Sequence, residues 1–525
     1  MSAADPTLIV SRPRRLLLPL AAGLMLAAGL VLAATMGLNH DAAWQLYAAR
    51  ALIRGSILYV DLQEFNLPAA YYLYLPAAAL MEGTGMAART ALAVTVAVAA
   101  LSSGWLVRRE LDRSRIGDGT ATAATVALLA TWLVLPGADF GQRDHFVAIL
   151  VLPYLVRAAE RAARGSGGGD RIGAVLAGLL AGFAVAIKPH YLPALILVET
   201  WALLRAGGVR QGLDPAPAAT AAVLVAAGAD LMLRHPAFIR DILPAALTAL
   251  EAYGGSPVRL LEPNSLMLSA VALGLGALLA LDRRILGLGR EARARAISFG
   301  LGCIGLWLAF LLQGKGWWYQ AQPANVFFLM AAAMAVVGLA SDADAAVLSH
   351  RRLARGAAAA LLALGLLNEA LAAVLSLQDT GMRRDLTARL VAAIRETEAS
   401  APVAAFSTSM YPTFPAVLEA DADWVLRWPY LWPLPALVSD DRDRAAETIF
   451  RNALLTDLEA RRPALVIVDV RPDPQGLRDL GVGAFDMLAW LKQDPSFTRF
   501  WSNYEKVGRL ASRGGRFVIE LHRRK

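Results

Sequence analysis

Long, almost uninterrupted apolar runs fill roughly the first three quarters of this chain. Many approach or exceed the roughly 18 residues at which an apolar stretch indicates a membrane-spanning helix. The 525 residues are 57% hydrophobic and 18% charged, whereas soluble domains are usually about 45–50% apolar and about 25% charged. Because the excess is spread over many runs and not gathered in one core, the sequence predicts a polytopic membrane protein.

The apolar runs predict a mainly α-helical transmembrane bundle of about eleven spans. They lie near residues 16–38, 87–107, 119–136, 145–159, 172–187, 190–206, 215–233, 264–281, 296–313, 323–340 and 356–376. The first run is longer than a signal-peptide core of about 7–15 residues. We therefore interpret it as an uncleaved span, with a cleaved signal as the alternative.

Arginines concentrate in alternate short loops, as in the run that contains Arg157, Arg161, Arg164 and Arg171. Positively charged loops remain on the cytoplasmic side, so the N-terminus is expected in the cytoplasm of a bacterial-type inner membrane. Five loops then face outward: 39–66, 137–144, 188–190, 234–263 and 313–322. This placement explains the net charge of +8 without nucleic acid, which is not an expected partner.

Residues 67–81 are apolar and Tyr-rich but break this alternation, because a crossing here would invert every later loop. We expect the segment to lie along the outer interface instead. Its Tyr71, Tyr72 and Tyr74 suit that depth, since tyrosine combines an apolar ring with a polar tip.

The composition changes after the last span, which divides the chain into a membrane domain at 1–378 and a soluble periplasmic α/β domain at 379–525. Apolar runs of strand length alternate there with helical patterns. The predicted strands are 402–407, 464–470 and 516–521, and the predicted helices are 387–397, 444–460 and 484–493.

The soluble domain offers no glycine-rich phosphate loop and no Ser-His-Asp pattern. The single cysteine, Cys303, cannot form an internal disulfide or a cysteine-based zinc site. Candidate chemistry is therefore expected in the outer loops.

The first outer loop begins Asn39-His40-Asp41 directly after a span, with Trp44 and Tyr47 following at helical spacing. An acid this close to a membrane helix end is costly to desolvate and usually has a partner or a task. The plainer alternative is that Asp41 is a helix cap.

The second outer loop places Asp139, Arg143, Asp144 and His145 within seven residues. Carboxylates from separate loops could share a metal ion, or divide the roles of base and electrostatic stabiliser. The alternative is a surface pair between Arg143 and Asp144, which would contribute little.

Two further outer loops carry cations. Lys188-Pro189-His190 places a lysine at a helix junction, where it either points into a cavity or snorkels to the interface. Lys315 lies between two glycines and precedes Trp317 and Tyr319. It suits contact with a phosphate, while the aromatic rings suit either a sugar face or an interfacial belt.

Residues 36–80 resemble the GT-C membrane glycosyltransferases that use polyprenyl-phosphate sugars, which include protein O-mannosyltransferases and the aminoarabinose transferases that modify lipid A. The family pattern is an acid after the first span, an A-R-x-L-x-x-G helix and an acidic, proline-bearing, Tyr-rich segment. Asp41, the run 49–55 and the run 64–72 match it in turn. Family members often carry Lys-Pro-Pro where this chain has Asn66-Leu67-Pro68.

The resemblance implies an inverting transferase that moves a sugar from a polyprenyl phosphate to a cell-envelope hydroxyl on lipid, glycan or protein. Asp41 matches the catalytic acid, and Asp139 or Asp144 falls where the family has a second-loop acid. The remaining candidates for substrate contact are Arg143, His145, Lys188, His190, Lys315, Trp317, Tyr319, Glu64 and Tyr71. The sequence identifies no certain cofactor and leaves a divalent metal ion open.

Two other functions are compatible with many membrane spans. A flippase or transporter of a lipid-linked saccharide often shows paired repeats and interrupted helices, and neither is evident here. A non-catalytic assembly subunit would retain the scaffold, but it would not need Asp41.

Overall fold

The computed structural model describes residues 12–35, 37–114, 116–166, 169–208, 213–252, 289–339, 348–397, 401–438, 444–471, 477, 482 and 484–525. The span predicted at 264–281 and the end of the loop predicted at 234–263 lie outside these residues.

The chain divides into two compact units. Unit 1 comprises Met1–Thr35, Ala93–Ala226 and Ser256–Leu375, and unit 2 comprises Met36–Leu92, Ala227–Gly255 and Ser376–Lys525. The domain division at 378 stays a prediction.

Helices are numbered in chain order over the described residues. They are α1 Arg12–Thr35, α2 His40–Ile53, α3 Pro68–Tyr72, α4 Leu75–Thr84, α5 Ala88–Asp112, α6 Asp118–Leu133, α7 Arg143–Arg164, α8 Arg171–Ile187, α9 Leu192–Arg205, α10 Pro215–Arg234, α11 Leu243–Ala252, α12 Arg290–Gln313, α13 Gln322–Gly338, α14 Leu348–Arg395, α15 Thr413–Ala420, α16 Leu434–Leu437, α17 Arg444–Arg461, α18 Met487–Leu491 and α19 Pro495–Trp501.

Within the described residues, five helical segments are long and apolar enough to cross a bilayer. They are Ala88–Asp112, Pro215–Arg234, Arg290–Gln313, Trp318–Gly338 and His350–Leu375. Shorter apolar helices occupy Leu18–Ala33 and Arg171–Ile187. The expected fold class, a mainly helical membrane bundle with a C-terminal α/β part, is confirmed.

Helix α7 forms the core of unit 1, because every residue from Arg143 to Ala163 is buried. Arg161 and Arg164 lie within the helix and not in the loop that the sequence predicts, whereas Arg157 falls inside the span predicted at 145–159. That this end of α7 faces the cytoplasm stays a prediction. The arginines continue the helix because Arg is a good helix former. The loop begins only at Gly165, which adopts a left-handed conformation with φ of 69°.

Two buried arginines of α7, Arg157 and Arg161, are paired with carboxylates of neighbouring elements. Arg157 contacts Glu110 at 2.9 Å and Asp214 at 2.6 Å. Arg161 contacts Glu199 at 2.9 Å. A buried charge is tolerated only when it is paired and hydrogen-bonded, so this network fixes how α5, α9 and α10 meet α7.

Two close helix contacts in unit 1 depend on glycine. A Cβ atom at Gly305 in α12 would overlap the backbone of Ala194 in α9, and one at Gly178 in α8 would overlap the backbone of Ala216 in α10. Small residues allow membrane helices to approach this closely, so these positions set the spacing between the helices.

In unit 2 the Tyr-rich segment forms two short helices, α3 and α4, with a break at Leu73 and Tyr74. Neither piece alone reaches the roughly 30 Å of a bilayer core. Tyr71 and Tyr74 are fully buried within the protein, and Tyr72 is partly exposed. The interfacial position of the segment stays a prediction. The hydroxyl group of Tyr71 donates a hydrogen bond to the buried carboxylate of Glu64 at 3.0 Å, which explains the inward orientation of Tyr71.

Helix α2 packs against the C-terminal residues of unit 2. The Trp44 ring meets Phe414 edge to face, with ring centroids 4.8 Å apart. The Tyr47 hydroxyl accepts the Trp424 backbone N–H at 2.8 Å. The predicted first outer loop therefore belongs to the same compact unit as the C-terminal α/β residues.

The C-terminal residues form a four-stranded sheet of order β1-β2-β4-β3, made of β1 Val403–Phe406, β2 Leu465–Asp469, β3 Tyr504–Ala511 and β4 Val518–Arg524. Strands β1 and β2 are parallel, and the other pairs are antiparallel. Strands β1, β2 and β4 match the three predicted strands. The sequence did not predict β3, an edge strand with mostly exposed side chains and no apolar run.

We expect Asp214→Asn to lower the apparent free energy of unfolding by about 3–5 kcal/mol, because the change leaves the buried Arg157 guanidinium without full compensation. The control is Asp118→Asn, since Asp118 pairs with Arg108 but its side chain is 60% exposed. That change should cost under about 1 kcal/mol. Denaturation in detergent measures both variants. Equal losses would show that burial of the network contributes nothing.

Candidate functional site

Asp41 lies in the first turn of α2, within unit 2. The helix cap is Asn39, whose side-chain oxygen accepts the backbone N–H groups of Asp41 at 2.9 Å and Ala42 at 3.3 Å. The alternative that Asp41 itself caps the helix is therefore wrong. A position in the first helical turn favours a charged carboxylate through the helix dipole.

His40 lies beside this carboxylate, with its Nε2 atom 3.6 Å from Asp41 Oδ1. The side chains of His40 and Asp41 are 34% and 13% exposed, respectively. An ionised, partly accessible carboxylate next to an imidazole can accept a proton from a hydroxyl group. The pair is thus chemically suited to the role of a general base.

Glu64 and Tyr71, both predicted to contact substrate, instead contact each other inside unit 2. Oε2 of Glu64 accepts hydrogen bonds from Tyr71 at 3.0 Å, from Gln45 at 3.3 Å and from Asn66. Glu64 is only 1% exposed. These bonds hold the loop between α2 and α3 in place. Both residues therefore have a structural role and do not line the site.

Asn66 occupies the position at which the resembled family often has lysine. Its amide donates to Glu64, and its backbone carbonyl accepts the Tyr59 hydroxyl at 2.5 Å. A neutral amide therefore fills a position next to a buried carboxylate, and no cation is supplied by this residue.

In unit 1, Asp144 is the centre of a buried polar cluster. Its Oδ2 atom lies 2.6 Å from Lys188 Nζ, and its Oδ1 atom accepts the Tyr191 hydroxyl at 2.7 Å. Asp144 is fully buried, so the expected alternative of an exposed pair with Arg143 is wrong. Both carboxylate oxygens are engaged, which suits Asp144 to orienting Lys188 more than to removing a proton.

Lys188 follows the last residue of α8 in an extended conformation and precedes the turn Pro189–Tyr191. Its ammonium also lies 3.3 Å from Gln313 Oε1 and 5.6 Å from the centre of the Tyr319 ring. The alternative of a snorkelling lysine is wrong, because the group is held inward by Asp144.

His145 is fully buried and uses both ring nitrogens. Its Nδ1 atom accepts the Gly141 N–H at 3.0 Å, and its Nε2 atom lies 2.8 Å from the Trp132 carbonyl. This pattern requires the neutral ring with the proton on Nε2. His145 therefore ties the second outer loop to α6. Asp139, in the preceding turn, is partly exposed.

Lys315 lies between Gly314 and Gly316, both with a φ of 65°. Its ammonium lies 4.8 Å from the centre of the Trp317 ring, and Trp317 is itself 5.8 Å from Tyr319. Glycine adopts this left-handed conformation at little cost, so the loop presents a cation and two rings together. Trp317 is 40% exposed.

The other two predicted contacts, Arg143 and His190, lie at helix junctions of unit 1. Arg143 begins α7 and is 8% exposed. The His190 ring packs beside Tyr191 at 5.1 Å, and its Nε2 atom is buried without a hydrogen-bond partner among the described residues. An orphaned ring nitrogen is a candidate ligand contact.

Tyr191, Gln313 and Gln45 contribute to these clusters although sequence reasoning did not single them out. Tyr191 follows the Lys-Pro-His run directly, and Gln313 ends α12. Their polar character inside apolar runs was the available signal. Within the described residues, no group of three or more His, Cys, Asp or Glu side chains is placed to hold a metal ion.

No family model matches this chain, and no curated protein matches it by sequence. Among solved structures, the chain is similar to ArnT from Cupriavidus metallidurans in the apo state, with a TM-score of 0.51 and 13% identity. The match covers 96% of this chain and 97% of that one. This likeness concerns the fold, and it supports the GT-C resemblance carried by residues 36–80. The chain shares the fold of this ArnT structure over almost its whole length.

Proposed function

We propose that this chain is an integral membrane glycosyltransferase that moves a sugar from a polyprenyl-phosphate donor to a hydroxyl group of a cell-envelope acceptor. The observation that carries the proposal is the position of Asp41, an acid in the first turn of a separately capped helix that follows the first predicted span. The fold shared with the ArnT structure supports it. A lipid-linked donor would explain why the chemistry is placed in a membrane.

In the proposed reaction Asp41 accepts the proton of the acceptor hydroxyl while the hydroxyl oxygen attacks the anomeric carbon. The bond from that carbon to the phosphate oxygen breaks, and polyprenyl phosphate leaves with the bonding electrons. A single displacement inverts the anomeric configuration. Negative charge develops on the leaving phosphate, so nearby cations accelerate the step.

Lys315 is the cation best suited to this leaving group. Lys188 is already paired with Asp144 at 2.6 Å, and that pair is close to neutral as a whole. Lys315 is partly exposed and lies between Gly314 and Gly316, whose lack of side chains leaves room for a phosphate group to approach. We therefore assign phosphate contact to Lys315, with Lys188, Arg143 and His190 as supporting groups and the rings of Trp317 and Tyr319 as sugar contacts.

We further propose that the α/β residues face the periplasm and that the loop after α7 faces the cytoplasm. Ser502 and Ser166 are exposed serines in these two places. In a Cys303→Ser background, Ser502→Cys should react with a membrane-impermeant thiol reagent in intact spheroplasts. Ser166→Cys should react only after lysis. The reverse pattern would overturn the orientation, and with it the outer-face site.

Asp41→Asn should lower turnover at saturating donor by about 10²–10⁴, the usual cost of removing a general base. The amide keeps the size of the side chain, so expression and the unfolding midpoint should not change. The assay is release of free polyprenyl phosphate on addition of acceptor, which a flippase or an assembly subunit would not show. Turnover above about a third of wild type would exclude Asp41 as the base and direct attention to Asp139.

Lys315→Ala should raise the donor concentration needed for half-maximal rate as well as lower turnover, because a phosphate contact acts on bound donor and on the transition state. Lys315→Arg, which retains the positive charge, should recover much of the donor affinity. A Lys315→Ala enzyme with unchanged donor dependence would show that the loop only anchors the protein at the interface.

A further inference from the structure

Unit 2 contains a polar cleft that the proposed chemistry does not use. It lies between the C-terminal half of α2 and the segment after α15, and its volume is about 210 Å³. Its charged lining consists of three arginines and three aspartates: Arg50, Arg54, Arg461, Asp61, Asp421 and Asp423. Five of these six side chains belong to exposed residues, and Arg50 is half-buried. The cleft is therefore open to a ligand from water.

The charges in the cleft indicate the class of ligand. Equal numbers of guanidinium and carboxylate groups give no net attraction for a phosphate or for an amine. Guanidinium groups only donate hydrogen bonds, and carboxylates only accept them. A ligand that satisfies both must carry donors and acceptors side by side, and neighbouring hydroxyl groups of a sugar do so without bringing any charge.

One wall of the cleft is held rigid by contacts within unit 2. Tyr47, which is partly exposed, accepts the backbone N–H of Trp424 at 2.8 Å. Arg50 bridges Asp421 at 2.9 Å and Glu82 at 2.6 Å, and Arg54 binds Glu82 as well. Glu82 thus orients two guanidinium groups from outside the cleft, and polar groups fixed in advance bind a ligand at lower entropic cost.

Asp421, at the edge of the cleft, has an unusual backbone conformation for a residue with a side chain. It ends α15 with a φ of 54°, a left-handed conformation that glycine usually occupies at this position. Its side chain is 66% exposed, so its ion pair with Arg50 adds little to stability. An aspartate here adopts a backbone conformation that is less favourable than it would be for glycine, and it places a carboxylate at the cleft.

We propose that this cleft binds an uncharged saccharide unit and that this unit belongs to the acceptor. This inference rests on the proposed function for its second part, because the cleft shares α2 with Asp41. Arg50 lies nine residues after Asp41, about 14 Å along the helix axis. An acceptor that reacts near Asp41 would reach the cleft through a short run of sugar units, which favours a glycan or glycolipid acceptor over a protein.

The test is saturation-transfer NMR on the full-length protein in a detergent without a sugar headgroup. The probes are maltotriose, methyl α-D-mannopyranoside, inorganic phosphate and a Ser-Thr dipeptide amide. A saccharide should bind, and Asp421→Gly should weaken its binding about tenfold, the equivalent of one charged hydrogen bond. The unfolding midpoint of this variant should stay equal or rise, since glycine relieves the backbone strain.

Arg461→Gln should weaken saccharide binding as well, because within the described residues the Arg461 guanidinium donates only one long hydrogen bond, of 3.4 Å, to the Val425 carbonyl. Arg509→Gln, at an exposed arginine of β3, is the matched control and should bind normally. Binding of phosphate or peptide in place of the saccharides, or wild-type binding by Asp421→Gly, would overturn the inference. The binding measurement requires neither sugar donor nor turnover. A negative result would therefore refute the saccharide site alone, whereas a negative Asp41 assay would refute the proposed base.

Discussion

The cost of removing a charge from water is the constraint on which this structure depends. Helix α7 carries charged residues at both ends, yet it is buried along nearly its whole length. Its buried charges are compensated by pairing, as where Asp144 meets Lys188 at one end and Arg157 meets Asp214 at the other. Each pair joins α7 to a different neighbour, so satisfying the charges also sets the arrangement of the helices. The apolar residues between them favour burial of the helix, and the paired charges determine which helices pack against it.

The same constraint explains how far sequence reasoning could go. Apolar length alone predicts the helical bundle, and apolar runs of strand length predict β1, β2 and β4, because burial in both cases depends on a segment's own composition. The partners of buried polar side chains cannot be predicted in this way. Nothing local shows that Lys188 meets Asp144, 44 residues earlier, or that Tyr71 turns inward to Glu64. Such contacts depend on which helices come together, and a single sequence does not contain that information in its local pattern.

Outer-loop residues that looked equivalent in the sequence have different positions in the fold. Glu64, Tyr71, Asp144 and His145 are all buried and bonded to fixed neighbours. Their polar groups were correctly identified as unusual for their surroundings, but each is explained by a structural partner. The resemblance to a known loop located Asp41 at a position that composition could not distinguish from a helix cap, and Asn39 then proved to be the cap.

The proposed assignment of the base follows from comparing these carboxylates. A general base must take up a proton during the reaction, and protonating Glu64 or Asp144 would disrupt hydrogen bonds that hold loops and helices together. Asp41 stands in a helix first turn with 13% of its side chain exposed and an imidazole 3.6 Å away. Gaining a proton there weakens a favourable interaction with the helix end, a loss of up to about 2 kcal/mol at a partly buried position. Among these three acids, Asp41 has the most accessible side chain and is therefore the one we propose as the base.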